Sequence, residues 1–308
     1  MNNFTNKLYI LTEHNETYQQ LILQQALPDL EITENAAEAD IVLAAPPVAA
    51  ERLNEFTKLD WLQSTYAGIN ALVAPHLRQD YTLTNVRGIF GPLIAEYVLG
   101  YSISHYRHFQ HYHQQQTQKQ WQPQLYQSLS GRTMVILGTG SIGSHLAKVA
   151  QAFGIRAIGV NRTGIPPRQT SFDNTYHINE AHVALKQADI VVNTLPSTPQ
   201  TTKLLNSDLL SHCQGALLFN VGRGDTLDDA GLLLALKNRW IAHAFLDVFE
   251  SEPLPQEHPF WGLPQITITP HIAALSEPRQ VIEIFASNYH SWRDGFQLQY
   301  QIDFDKGY

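Results

Sequence analysis

Three segments of the chain carry residue types suited to acid–base chemistry on a small anion. The first is Asn220-Val221-Gly222-Arg223-Gly224, which follows an apolar run. Glycines on both sides let the backbone turn sharply around the arginine, and a guanidinium can meet a carboxylate through two parallel hydrogen bonds. The second segment, Leu246-Asp247-Val248-Phe249-Glu250-Ser251-Glu252-Pro253-Leu254-Pro255, offers carboxylates at Asp247, Glu250 and Glu252. The third is Thr269-Pro270-His271-Ile272-Ala273-Ala274. A carboxylate beside His271 would fix the ring tautomer and favour the imidazolium, the form that can give up a proton. Taken singly, each segment reads equally well as a surface turn, a surface acid or a packed histidine. In order, each after a strand-like run, they point to one site, because strand ends in an open parallel sheet face a common crevice.

A second constellation points to a dinucleotide. Val135-Ile136-Leu137 runs into Gly138-Thr139-Gly140-Ser141-Ile142-Gly143, and Leu146, Val149, Ala150 and Phe153 follow at helical spacing. This is strand, glycine turn, helix, with the Gly-x-Gly-x-x-Gly fingerprint in place. Gly138 permits the tight turn, Gly140 lets the backbone approach a pyrophosphate, and Gly143 allows close helix–strand packing. The phosphates would sit on unpaired N–H groups at the positive end of the helix. Eighteen residues after Gly143 stand Asn161-Arg162-Thr163. A carboxylate there would accept from a ribose 2′-hydroxyl, whereas an arginine suits a 2′-phosphate. The expected cofactor is therefore NADP(H) in preference to NAD(H), with Arg168 a further charge nearby.

The elements that must position these residues alternate along the chain. Strands are expected at 8–11, 41–44, 61–64 and 81–85. A helix carries Tyr18, Leu21, Ile22 and Leu27 and is stopped by Pro28. One long helix is expected from Pro92 past His113 as the connector between domains. A second series of strands follows at 133–137, 156–160, 190–194, 216–221, 242–248 and 266–269. Asp228-Asp229 open a helix there, and a last helix from about Glu277 to Arg293 leads into a tail. The expected fold class is α/β, with two doubly wound parallel-sheet domains. The 308 residues suffice for two domains.

Together, Gly138–Gly143, Thr194-Leu195-Pro196-Ser197-Thr198-Pro199, Asn220–Gly224, Leu246–Pro255 and Pro270–Ala274 resemble the D-isomer-specific 2-hydroxyacid dehydrogenase family over nearly the whole chain. The length and Asn161-Arg162-Thr163 resemble its glyoxylate/hydroxypyruvate reductase branch. The resemblance implies a catalytic set of Arg223, Glu252 and His271, Glu252 being chosen over Glu250 because it directly precedes Pro253. It implies that Asp247 helps hold the nicotinamide carboxamide, and that Leu195, Pro196, Val221 and Gly222 also line the cofactor. Tyr66-Ala67-Gly68 is implied to be the substrate loop, its N–H groups meeting the substrate carboxylate. It further implies a flavodoxin-like substrate domain (1–98 plus 279–308), a Rossmann domain (99–278), and a homodimer formed through residues 92–127. The departure from NAD-dependent members is Asn161, which stands where they carry an acid. The implied reaction is NADPH-dependent reduction of a small 2-oxo acid, glyoxylate or hydroxypyruvate, with His271 as proton donor. A dinucleotide-sensing corepressor on the same fold is the alternative, and a formate- or phosphite-type dehydrogenase a third reading.

Composition narrows the partners. The net charge of −8 and the lack of a basic cluster argue against nucleic acid. No apolar run approaches the ~20 residues of a membrane span, and the N-terminus lacks the pattern of a signal peptide. Cys213 is the only cysteine, which suits a reducing cytoplasm. His105, His108, His111 and His113 have no Cys or acidic cluster beside them and read as packing or surface residues, so no metal is expected. Cys213 reads as structural.

Overall fold

Short aliphatic runs become strands buried on both faces, as a parallel sheet covered on both sides requires. The structure, a computed structural model, describes residues 5–304; the sequence readings on residues 1–4 and 305–308 lie outside the described residues. The chain divides into two units, Met1–Ile89 with Ser276–Tyr308, and Phe90–Leu275.

In the first unit, β1 (Asn6–Leu11), α1 (Asn15–Gln25), β2 (Leu30–Ile32), β3 (Ile41–Ala44), α2 (Pro46–Arg52), β4 (Trp61–Ser64) and β5 (Thr82–Thr84) follow in order. The sheet runs β2-β1-β3-β4-β5, all parallel, which is the flavodoxin-like order. α1 stops earlier than expected. Ala26 turns left-handed at φ 47°, its N–H bonding Leu23 O, and Leu27 falls outside the helix.

The second unit opens with α3 (Phe90–Tyr106) and α4 (Phe109–Thr117). The single long helix expected here is broken at His108, which is left-handed at φ 58°. There follow β6 (Thr133–Leu137), α5 (Ser141–Ala152), β7 (Arg156–Asn161), β8 (Asn174–His177), α6 (Ala181–Leu185) and β9 (Ile190–Asn193). α7 (Ser207–Leu210), β10 (Ala216–Asn220), α8 (Asp229–Lys237, capped by Asp228), β11 (Ile241–Leu246) and β12 (Ile266–Ile268) complete it. The sheet order is β12-β11-β10-β9-β6-β7-β8, parallel throughout. Strand order reverses between β6 and β9, the doubly wound dinucleotide topology.

The division expected at 98/99 is displaced to 89/90, because it would cut α3 from its packing, and the one expected at 278/279 moves only to 275/276. Ile94, Ala95, Val98 and Leu99 of α3 share one core with Met134, Ile136 and Leu146. Gly91 lies so close to α5 that a Cβ there would stand 2.7 Å from His145 Cβ. At the other end α9 (Pro278–Arg293) belongs wholly to the first unit. Its Phe285 stacks on Trp61 at 5.1 Å, and Asn288 Nδ2 donates to Gln63 Oε1 at 3.1 Å. The tail then joins the edge of β5: Gln301 pairs antiparallel with Thr84, and Ile302 N–H donates to Leu83 O at 2.8 Å.

Candidate active site

β10, β11 and β12 are neighbours in the sheet, so the loops leaving their carboxyl ends lie side by side. The Arg223 loop leaves β10 at Asn220 and is closed by buried amides and a hydroxyl. Asn193 Nδ2 donates to Asn220 Oδ1 (2.9 Å) and to Thr226 Oγ1 (2.7 Å). Asn220 Nδ2 and Thr226 Oγ1 both donate to Arg223 O, at 3.2 and 2.5 Å. A Cβ on Gly224 would lie 1.8 Å from the carbonyl carbon of Phe249, so this glycine lets the Arg223 loop press directly on the loop that carries Glu252. The Arg223 guanidinium donates to Gly222 O at 2.7 Å. Burial lowers its pKa from the ordinary arginine range, while Glu252 and Asp225 act in the opposite sense; an arginine still stays charged.

Glu252 and His271 meet. Glu252 Oε1 accepts from Phe249 N–H at 2.8 Å, and Oε2 lies 2.8 Å from His271 Nδ1. A carboxylate only accepts, so Nδ1 carries a proton and Nε2 is the nitrogen whose proton can come and go. The His271 side chain is 54% exposed, open to a small molecule. Asp247 lies beneath. It is 2% exposed, and its Oδ1 accepts from Thr269 Oγ1 (2.6 Å) and Ile272 N–H (2.8 Å) while Oδ2 accepts from Ala273 N–H (3.0 Å). Asp247 therefore wraps the His271 loop around itself, a role that the implied carboxamide contact leaves out.

The glycine turn links β6 to α5. Gly138 takes φ +103°, where a Cβ would also strike Thr194 Oγ1 at 2.5 Å. A Cβ on Gly143 would stand 2.0 Å from Gly138 O, whereas one on Gly140 would meet nothing within 4 Å. Gly140 and Ser141 are exposed, with Thr139 and Ile142 half-buried beside them. An open backbone at the N-terminus of a twelve-residue helix fits a pyrophosphate. Asn161 turns inward: its Oδ1 accepts from the N–H groups of Thr163 (3.0 Å) and Gly164 (2.7 Å), and its Nδ2 donates to Thr139 Oγ1 (2.9 Å). It thereby ties the Arg162 loop to the glycine turn, and Arg162 and Thr163 are exposed on that loop. Leu195 and Val221 are buried in core clusters and Gly222 is buried with them, while Pro196 is exposed.

Tyr66-Ala67-Gly68 belongs to the first unit. Its carbonyls are tied down: Tyr66 O accepts from Ser64 Oγ (2.8 Å) and Ala67 O from Asn85 Nδ2 (2.7 Å). Among the described residues no three His, Cys, Asp or Glu side chains gather to hold a metal ion, and no helix is long and apolar enough to cross a membrane. His105 packs its ring against Tyr106, and His111 bonds Gln115. Burial raises the Cys213 thiol to about 12.

Asn193 and Thr226 were not singled out from sequence, although the strands Ile190–Asn193 and Ala216–Asn220 both end in asparagine, a polar stop that could have flagged Asn193. The contact at Gly224 can be tested by urea unfolding. Gly224→Ala should destabilise the second unit by about 1–3 kcal/mol through overpacking. Gly140→Ala, where the added methyl meets nothing, should stay within about 0.5 kcal/mol of the parent. Equal midpoints for the two variants would show that the loops are not in contact.

A family model described as D-isomer specific 2-hydroxyacid dehydrogenase, NAD binding domain, matches residues 99–273. Glyoxylate/hydroxypyruvate reductase A of Serratia proteamaculans is 38% identical over 197 residues, which are 63% of this chain and 62% of that protein. The protein of the same name from Yersinia enterocolitica is 32% identical over 303 residues, 93% of this chain and 94% of its own length. A solved D-isomer specific 2-hydroxyacid dehydrogenase family protein from Aeromonas salmonicida superposes with a TM-score of 0.93 at 43% identity, covering 98% of this chain and 100% of that one. Matches that take in more than half of the chain in one comparison and nearly all of it in two others lead to one conclusion: the chain belongs to the D-isomer specific 2-hydroxyacid dehydrogenase family.

Proposed function

We propose that the chain reduces a small 2-oxo acid, glyoxylate or hydroxypyruvate, to the 2-hydroxy acid, with NADPH as the preferred reductant. The observation that carries this reading is the 2.8 Å contact between Glu252 Oε2 and His271 Nδ1. It leaves Nε2, the nitrogen whose proton can come and go, available to a carbonyl oxygen. Gly138–Gly143 would hold the pyrophosphate, Arg162 and Thr163 the 2′-phosphate, and Pro196 with the Leu195, Val221 and Gly222 backbone the rest of the dinucleotide, Asp247 lying near the carboxamide. When bound, the nicotinamide supplies the hydride. Arg223 binds the substrate carboxylate and polarises its C2 carbonyl. Negative charge builds on that oxygen, and His271 Nε2 delivers a proton to it as general acid. Glu252 holds the ring in the productive tautomer and offsets its charge. Among the described residues no acceptor meets the Ala67 and Gly68 N–H groups, which suits the Tyr66–Gly68 loop to a carboxylate.

Initial rates with glyoxylate, hydroxypyruvate and pyruvate test the reaction. His271→Ala should lower kcat by about 10²–10⁴-fold, and Arg223→Ala should raise KM and lower kcat together. Full turnover in His271→Ala sinks its role as proton donor. A wild-type chain that binds dinucleotide tightly yet turns over no 2-oxo acid sinks the enzymatic reading in favour of dinucleotide sensing.

The cofactor preference rests on the exposed Arg162 and on Asn161, which presents no carboxylate to a 2′-phosphate. Arg162→Asp should reduce the ratio of kcat/KM for NADPH over NADH by at least about ten-fold. A wild-type preference for NADH would discard the phosphate-clamp reading and keep the chemistry.

A homodimer through residues 92–127 is the expected assembly. Trp121 and Leu125 are 98% and 90% exposed there, and Phe109 and Tyr126 of the same stretch are more than half exposed. Exposed large apolar side chains concentrated in one stretch of chain favour a protein contact there. Light scattering on the eluting peak should give twice the chain mass, and a monomer would refute the interface.

A further inference from the structure

Tyr97, on α3, lies outside every group so far given a part in the reaction. It is half-buried, its ring against Tyr101 at 4.8 Å and Phe219 at 6.5 Å. Its hydroxyl stands 2.8 Å from Thr269 Oγ1. Donor and acceptor in that contact can be assigned. Thr269 has one hydroxyl proton, and its oxygen lies 2.6 Å from Asp247 Oδ1, which as a carboxylate oxygen can only accept. Thr269 therefore donates to Asp247, and Tyr97 donates to Thr269. Burial holds the Tyr97 phenol above its ordinary range, so it stays protonated and remains a donor.

The chain of hydrogen bonds ends at His271. Asp247 Oδ1 and Oδ2 accept from Ile272 N–H and Ala273 N–H, the two peptide groups directly after His271. The N–H of His271 is shared between Asp247 O (2.9 Å) and Thr269 O (3.0 Å). His271 itself sits at φ +54°, a left-handed conformation that non-glycine residues adopt uncommonly and that the surroundings must hold in place. Tyr97 and Thr269 donate in series, so the first bond strengthens the second, and the second fixes the orientation of the Asp247 carboxylate onto which Ile272 N–H and Ala273 N–H converge.

We propose that Tyr97 and Thr269 are positioning residues for the reductase reaction. Acting through the Asp247 carboxylate, they hold His271 in the left-handed backbone conformation that presents Nδ1 to Glu252 and leaves Nε2 for the substrate. The inference rests on the reading of His271 as general acid and adds two residues to it. Neither touches the reacting atoms in this scheme; their effect is on the geometry of the group that does.

The test combines steady-state kinetics with amide hydrogen exchange on the full-length chain carrying Tyr97→Phe, Thr269→Val, Thr269→Ser, or Tyr97→Phe with Thr269→Val. Thr269→Val should lower kcat about ten-fold with KM changed by less than about two-fold, as expected for a group that acts on the transition state. Tyr97→Phe should lower it by a smaller factor. Thr269→Ser keeps the hydroxyl and should restore most of the loss. Because the two residues act in series, the double variant should be no slower than Thr269→Val alone. Exchange across residues 269–273 should quicken in Tyr97→Phe and Thr269→Val. Multiplying effects in the double variant, a change in KM alone, or kcat unchanged in both single variants would overturn the proposal. If the wild-type chain reduces no 2-oxo acid, the reading of the reaction fails and exchange decides the linkage. Faster exchange at 269–273 in Tyr97→Phe supports it, and unchanged exchange overturns it.

Discussion

A carboxylate withdrawn from water is costly unless its lone pairs are met. Asp247 satisfies that condition by recruiting the next strand's loop. It is nearly inaccessible, and the N–H groups of Ile272 and Ala273 and the hydroxyl of Thr269 converge on its two oxygens. Remove the charge and the left-handed turn at His271 keeps only the His271 N–H bonds to Asp247 O and Thr269 O and the contact with Glu252. The loops after β10 and β12 are thus both defined from within, one by the buried Asn193–Asn220–Thr226 network and the other by Asp247. The loop after β11 lies between them and contributes Glu252. The outward-facing Glu252–His271 pair is partly exposed and needs this inner layer, because an ion pair in contact with water contributes little rigidity by itself.

Strand order does the remaining work. The three polar side chains of the proposed acid–base set come from positions far apart in sequence, but β10, β11 and β12 are neighbours in the sheet. Gly224 removes the last steric barrier between two of the loops. A single methyl group at that point would overlap the Phe249 backbone, so the spacing of Arg223 from Glu252 is set by backbone contact rather than by side-chain adjustment.

Much of this was legible in the sequence because the chemistry needs rare combinations. Arginine between glycines, Glu-Pro after an aliphatic strand, and Pro-His after another are uncommon enough to mark a site when they occur in order. The central strands were legible because burial on both faces demands continuous apolar runs. β2 and β8 were missed for the opposite reason. Both are edge strands; the first, Leu-Glu-Ile, is too short to establish a pattern, and the second reads Asn-Thr-Tyr-His, with no apolar run. The break at His108 was hidden because the residue is an ordinary helix former whose ring nitrogen bonds Leu125 O, a contact remote in sequence. Thr226, Thr269 and Tyr97 were invisible as partners because a hydrogen bond between residues 33 or 172 positions apart leaves no trace in local pattern.

The first unit is built from two separated stretches of chain, and that has a consequence for its birth on the ribosome. Residues up to Ile89 emerge first, but the partners of Trp61, Gln63 and Leu83 are Phe285, Asn288 and Ile302. The 186 residues from Phe90 to Leu275 lie between, and at 5–20 residues per second they take about ten to forty seconds to synthesise. Throughout that interval the buried faces of β4 and β5 have no C-terminal cover. The interrupting unit is continuous in sequence and can close upon itself as it appears, so the nascent chain completes its nucleotide-binding half while β4 and β5 still wait for α9 and the strand partner beyond it.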